Sequence, residues 1–271
     1  MRIFVLTSDD PYAHFCMSRL VHRHYKNILG IFVGPLLVKS GGPLKTLFRV
    51  WKKSGWRYAL SETAEGVFCK LFMAVKRLFG CNRIENFHDT AALWGVPVER
   101  IVDANGEEFR RRLEEAEPDL LILARYNQIL NRRLLAIPRV GAINVHSGIL
   151  PRYRGLSPTI NAMIRGEKYA GVTVHKVIKK IDSGGIIGSA RIEINYQESA
   201  LRNCVKAMLV GQPLLNRIVS GILDFGDIIA ERQPETDDYF SWPEREDIRR
   251  FKRSGGKLFR FSDIFFLWKI L

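Results

Sequence analysis

Four apolar residues, Ile3 to Leu6, run unbroken before the polar stretch Thr7-Ser8-Asp9-Asp10-Pro11, a pattern that predicts a short strand buried on both faces and then a turn. Helical spacing follows over Tyr12 to Tyr25, and Ile28 to Val33 predicts a second strand ending at Gly34-Pro35. Thr90 to Trp94 predicts the end of a short helix before a turn and strand at Gly95-Val96-Pro97-Val98. Glu107 to Glu115 predicts a helix closed by Pro118, and Asp119 to Ala124 a strand without a polar face. Leu130 to Ala136 adds a short helix and Gly141 to His146 another strand. This alternation predicts an α/β fold with a doubly wound, mostly parallel sheet covered by helices. Such sheets place their sites at the carboxyl ends of strands. The first strand-to-helix turn lacks a glycine fingerprint, which argues against a dinucleotide there.

Residues 36–87 interrupt the rhythm as an insertion. Leu44, Leu47, Phe48 and Trp51 fall at helical spacing, and Phe68, Leu71, Phe72, Val75, Leu78 and Phe79 continue a similar stripe. Lys45, Arg49, Lys52, Lys53, Lys70, Lys76 and Arg77 occupy the other faces. The first reading is two helices packed on the domain through these stripes, with a solvated basic face. The alternatives are an interfacial contact with an anionic membrane or a groove for a phosphate-bearing partner.

Charge sharpens that choice. The 271 residues carry 42 lysines and arginines against 28 aspartates and glutamates, a net +14 that favours an anionic partner or surface. Residues 36–87 hold ten bases against three acids and residues 241–271 eight against four, so the excess is concentrated there. The opening MRIFVLTSDD lacks the apolar core and cleavage site of a signal peptide, and no stretch approaches the roughly 18 apolar residues that cross a bilayer. A cytoplasmic protein is expected. Cys16, Cys69, Cys81 and Cys204 are widely spaced without a metal-ligand pattern, so reduced structural thiols and no metal site are expected.

The candidate chemistry lies in Gly141-Ala-Ile-Asn-Val-His-Ser-Gly-Ile-Leu-Pro-Arg-Tyr-Arg-Gly155. Residues two apart on a strand share a face, so Asn144 and His146 present an amide and an imidazole side by side at the strand's end. Such groups can stabilise an oxyanion forming on an attacked carbonyl. Gly171 to Val177 predicts a further strand running into Ile178-Lys-Lys-Ile-Asp-Ser-Gly-Gly-Ile-Ile187, where the glycines turn the chain and leave the Asp182 carboxylate at a strand or loop end. His175 is a further candidate, but on an apolar alternating strand it is expected to be a packed histidine.

Together, Asn144-x-His146, the Leu150-Pro151-Arg152-Tyr153-Arg154-Gly155 loop and Asp182 resemble the 10-formyltetrahydrofolate-dependent formyltransferase family over residues 1–34 and 88–230. The segment from His175 to Gly185 resembles most its aminoarabinose-modifying branch. The resemblance implies a catalytic domain over 1–230, an extension over 231–271, and an Asn144, His146, Asp182 triad. It further implies 10-formyltetrahydrofolate as formyl donor, its pterin lying against the backbone of Gln128, Ile129 and Leu130, of Gly148, Ile149, Leu150 and Pro151, and of Ile178, Lys179, Lys180 and Ile181. In that mechanism a protonated His146, favoured by Asp182, and the Asn144 amide hold the oxyanion while a primary amine attacks.

The acceptor expected is a nucleotide-linked amino sugar, whose diphosphate Arg152, Arg154 and Lys179 could meet. Initiator tRNA is the lesser expectation, because the branch acting on it resembles this domain followed by a barrel of about a hundred residues, and some forty follow here. The extension, with Tyr239 to Phe251, predicts one turn and one amphipathic helix. Rival readings are a formyltetrahydrofolate hydrolase and a basic nucleic-acid-binding protein without catalysis. The last accounts for the charge but not for the three motifs.

Overall fold

The computed structural model describes residues 1–9, 11–35, 42–61 and 87–270. In the first strand, β1 (Ile3–Ser8), Ile3 and Val5 enter one apolar cluster while Phe4 and Leu6 enter another, as the two-residue period of a strand requires. That division sets the layers. The strand is third in a seven-stranded sheet ordered β3 (Val98–Arg100), β2 (Ile28–Gly34), β1, β4 (Leu120–Ala124), β5 (Gly141–His146), β7 (Tyr169–Lys176) and β8 (Ile186–Glu193). The first five run parallel; β7, the strand predicted at Gly171–Val177, runs against them, and β8, antiparallel to β7, closes the sheet in the original sense. Winding reverses between β1 and β4, which opens a crevice at their carboxyl ends, beside β5.

Helices α1 (Pro11–His24) and α7 (Ala200–Phe225) cover one face, where Met17, Leu20, Val205, Met208, Leu215 and Val219 are buried against the sheet. Each such side chain contributes about 1.5–3 kcal/mol by leaving water. The short α3 (Phe87–Leu93) adds Phe87 and Ala91 beside α1. On the other face α4 (Glu107–Ala116) and α5 (Arg132–Leu135) supply Phe109, Leu113 and Leu134. Two helix starts are capped by side chains: Asn131 Oδ1 accepts from Leu134 N at 3.0 Å, and Ser199 Oγ from Arg202 N at 3.1 Å.

The insertion departs from the first reading. Helix α2 (Gly42–Ser54) buries Thr46, Val50 and Ser54, while Leu47, Phe48 and Trp51 of the predicted packing stripe lie exposed. Residues 56–61 are helical again, with Tyr58 and Ala59 buried and Trp56 and Leu60 exposed. The stripe from Phe68 to Phe79 lies outside the described residues, as do Cys69 and Cys81, whereas Cys16 is a buried thiol and Cys204 a half-buried one.

The extension holds more structure than one turn and one helix. A short strand, β9 (Tyr239–Phe240), pairs in parallel with β6 (Arg154–Gly155), which follows the candidate motif. Helix α8 (Arg245–Arg253) then packs Ile248 and Phe251 with Val50 of α2 and with Ile160 and Met163 of α6 (Pro158–Ile164). A last helix, α9 (Ser262–Ile270), sends Leu267 into the main core. Its anchor is ionic: fully buried Asp263 lies 3.2 Å from Arg202 Nε and accepts from Arg260 N at 2.7 Å. Phe261 and Phe265 stay exposed.

Candidate active site

Asn144 and His146 stand at the carboxyl end of β5, and antiparallel β7 sets His175 opposite Asn144 and Thr173 opposite His146. His175 is buried, as a packed histidine would be, but its Nε2 faces Asn144 and Asp182. Its Nδ1–H donates to the Lys176 carbonyl at 2.7 Å, which makes Nε2 the acceptor for an Asn144 Nδ2 hydrogen at 3.1 Å. The second Asn144 hydrogen remains to be aimed at a substrate. His175, a lesser candidate in the sequence and read there first as packing, thus orients the Asn144 amide.

Asp182 closes the triangle. Its Oδ2 lies 3.5 Å from His146 Nδ1 and its Oδ1 3.5 Å from His175 Nε2, while Gly155 N donates to Oδ2 at 2.9 Å. Gly155 adopts φ +92°, and a Cβ there would fall 2.2 Å from the Phe240 carbonyl, so only glycine can bring this N–H to the carboxylate. Asp182 itself is held at φ +50°. Two side chains brace its loop: Arg154 donates to the Ile181 carbonyl at 3.0 and 3.2 Å and to the Thr236 carbonyl at 2.8 Å, and Gln233 Nε2 donates to the Asp182 and Gly184 carbonyls at 3.2 and 2.5 Å. Arg154 is thus spent on the backbone, contrary to the expectation that it meets an acceptor's diphosphate.

The His146 ring is fixed from the other side. Its Nε2–H donates to the Tyr153 carbonyl at 2.8 Å, leaving Nδ1 turned toward Asp182. Tyr153, held at φ +57°, is secured by its own ring, which stacks on Phe240 at 5.3 Å, and by its hydroxyl, which donates to Glu167 at 2.7 Å. Gly148 completes the fit, since a Cβ there would fall 2.7 Å from Pro158 Cβ and 2.8 Å from His146 Nε2.

Electrostatics corrects the expected charge on the imidazole. Burial pulls the His146 pKa below its ordinary 6.5, against the opposing pull of Asp182 and the Tyr153 carbonyl, so the ring is neutral at neutral pH. Asp182 goes the other way. Burial pushes its carboxyl up, but His146, which is charged once acid has protonated it, together with His175 and the Gly155 N–H outweighs burial and holds it at about 2. The site therefore pairs an ionised carboxylate with a neutral, basic imidazole.

Of the segments expected to hold the pterin, 128–130 and 148–151 follow the carboxyl ends of β4 and β5, while 178–181 lead from the end of antiparallel β7, level with Ala142, back to Asp182. Ile129 and Ile178 are exposed, and Leu130 and Leu150 are buried. Gln128 is buried with its amide committed to Val102 O at 2.6 Å and Ala104 N at 2.7 Å. Some backbone groups there are already engaged: the Ile129 carbonyl accepts from Asn105 Nδ2, and Leu150 N donates to Thr173 Oγ1. Lys179 and Lys180 are exposed beside the Asp182 loop, and exposed Arg152 is paired with Glu167.

Residues 59–208 match a protein family described as formyl transferase. The methionyl-tRNA formyltransferase of Macrococcus caseolyticus is 36% identical over 129 residues, 48% of this chain and 42% of that protein. The chain spans about half the length of the curated relatives it matches. Among solved structures, a sugar N-formyltransferase from Shewanella superposes over 89% of this chain and 76% of its own (TM-score 0.57, 16% identity). A phosphoribosylglycinamide formyltransferase from Anaplasma phagocytophilum does so over 88% and 96% (TM-score 0.56, 18% identity). These likenesses establish a shared fold.

Proposed function

This chain belongs to the formyl transferase family, and we propose that it moves the formyl group of 10-formyltetrahydrofolate to the primary amine of a nucleotide-linked amino sugar. The observation that carries the transfer chemistry is the cluster of Asn144, His146 and ionised Asp182 around one point at the end of β5. The donor supplies an electrophilic carbonyl carbon. Exposed Ile129, in the loop after β4, and exposed Ile178, at the start of the loop from β7 to Asp182, offer apolar surface for its flat ring.

Asn144 Nδ2 donates its second hydrogen to the formyl oxygen as charge develops there. Neutral His146 takes the proton that the attacking amine must lose, on Nδ1, because its Nε2–H is already given to Tyr153. Asp182 offsets the charge that this places on the ring, and His146 then returns the proton to the departing nitrogen. Amine and formyl donor become formamide and tetrahydrofolate without net gain or loss of protons.

The assignment of His146 as a base has a pH signature. Once the acceptor amine's own ionisation is divided out, kcat/KM is expected to stay level above pH 6.5 and to fall on the acid side, as His146 protonates. A profile rising toward acid would instead mark an imidazolium donor. Stability should move in the same direction: the depressed His146 binds fewer protons folded than unfolded, so stability declines as pH drops below 6.5. The Asp182 contribution is complete above its ordinary 3.8 and is lost as pH falls toward 2.

Exposed Lys179 and Lys180 beside the Asp182 loop support the acceptor class, because they can meet a diphosphate without a tRNA-sized surface. Structural neighbours named as sugar N-formyltransferases support it too. The similarity to methionyl-tRNA formyltransferases favours a second reading, initiator tRNA. A competition decides between them: purified protein and donor receive charged initiator tRNA and a panel of nucleotide-linked amino sugars together. Formylated sugar is expected. Efficient formylation of the tRNA with every sugar untouched would overturn the acceptor.

A further inference from the structure

We infer that the outward face of α2 and residues 56–61 is a docking surface for an anionic lipid layer. A helix of a water-soluble domain turns its largest apolar side chains inward. This one is reversed: Thr46, Val50 and Ser54 face the domain, while Leu47 (38% exposed), Phe48 (56%), Trp51 (46%), Trp56 (59%) and Leu60 (57%) face outward.

The orientation is fastened by contacts to the extension. Ser54 Oγ donates to the Pro243 carbonyl at 2.6 Å, Arg245 donates to the Trp51 carbonyl at 3.3 Å, and Lys53 pairs with Glu244 at 3.0 Å. Val50 shares a cluster with Ile248 and Phe251. Rolling the helix to hide its aromatics would break all of these.

Charge identifies the occupant. Helix α2 carries Lys45, Arg49, Lys52 and Lys53 and no acidic residue. Lys45, Phe48, Arg49, Lys52 and Lys53 line one shallow, open hollow, a cradle for a phosphate headgroup. The Arg57 guanidinium lies over the exposed Trp56 ring, 5.2 Å from its centre. Bulky apolar side chains interleaved with bases match the boundary between headgroups and acyl chains, into which such helices sink about 5–10 Å. Trp51 and Trp56 are suited to that depth because an indole is amphipathic. A nucleic acid would account for the bases and the aromatic rings but not for exposed Leu47 and Leu60, which offer neither a stacking ring nor a charge for a phosphate. Among the described residues no helix is long and apolar enough to cross a membrane, so the contact is peripheral.

The test uses the full chain with vesicles of phosphatidylcholine alone or mixed with phosphatidylglycerol, at low and physiological salt. Co-sedimentation with the mixed vesicles is expected at both salts and weaker at the higher. Brominated lipid should quench tryptophan fluorescence. A variant combining Leu47→Ser, Phe48→Ser and Trp51→Ser changes only exposed side chains, and an unchanged thermal melt would establish its fold. It should bind on the order of 100-fold more weakly, from the apolar area it no longer inserts. Four results would each overturn the inference: no vesicle binding at either salt, equal binding by the variant, displacement by RNA with RNA affinity untouched in the variant, or a dimer of this chain that the variant dissociates.

Discussion

His146→Ala is expected to lower kcat by about 10²- to 10⁴-fold, the span that one positioned proton-transfer group covers, with little change in KM for either substrate. The ring is 6% exposed and held by its Nε2–H to the Tyr153 carbonyl, which leaves Nδ1, 3.5 Å from Asp182 Oδ2, as the single point at which it exchanges a proton. Its loss removes both the acceptor for the amine's proton and the donor for the leaving nitrogen. Steady-state rates on variant protein checked by circular dichroism measure it. Turnover within a few-fold of the unaltered enzyme would remove His146 from the mechanism.

The next largest effect is expected at Asn144, where alanine should cost about 10²- to 10³-fold in kcat, typical of one lost oxyanion donor. Asn144 can serve because His175 accepts one of its amide hydrogens and so orients the other. His175→Phe should then cost less than Asn144→Ala, and adding it to the Asn144 variant should cost almost nothing more, because both act through one amide. Rates of the two single variants and the double variant form the cycle. Full additivity would mean that His175 acts elsewhere.

Much of the sheet was legible because its strands are short apolar runs flanked by turn residues. Gly141–His146 in particular has the same bounds in sequence and structure. The grouping of Asn144, His146 and Asp182 was legible through the family resemblance that their separated motifs carry together, not through any one motif alone. His175 was not, because its role follows from the antiparallel register of β7 on β5, which pairs residues 31 apart in the chain. Arg154 misled for a related reason. A basic residue in a glycine-bearing loop suggests an anion site, yet here its guanidinium is consumed by two carbonyls, Ile181 and Thr236, that only the folded chain brings together. Periodicity found the stripe of α2 but not its direction, because the inward face is chosen by polar partners on the extension, Pro243 and Glu244.

The central claim is that this cluster of residues transfers a formyl group to an amine. The most direct measurement is tetrahydrofolate release from 10-formyltetrahydrofolate by the purified protein, with and without nucleotide-linked amino sugars. Release is expected to require the amine, to match the formamide formed mole for mole, and to fall by about 10²- to 10⁴-fold in His146→Ala. Release at an undiminished rate without amine would mean that water is the acceptor and the protein a hydrolase, and that result would contradict it.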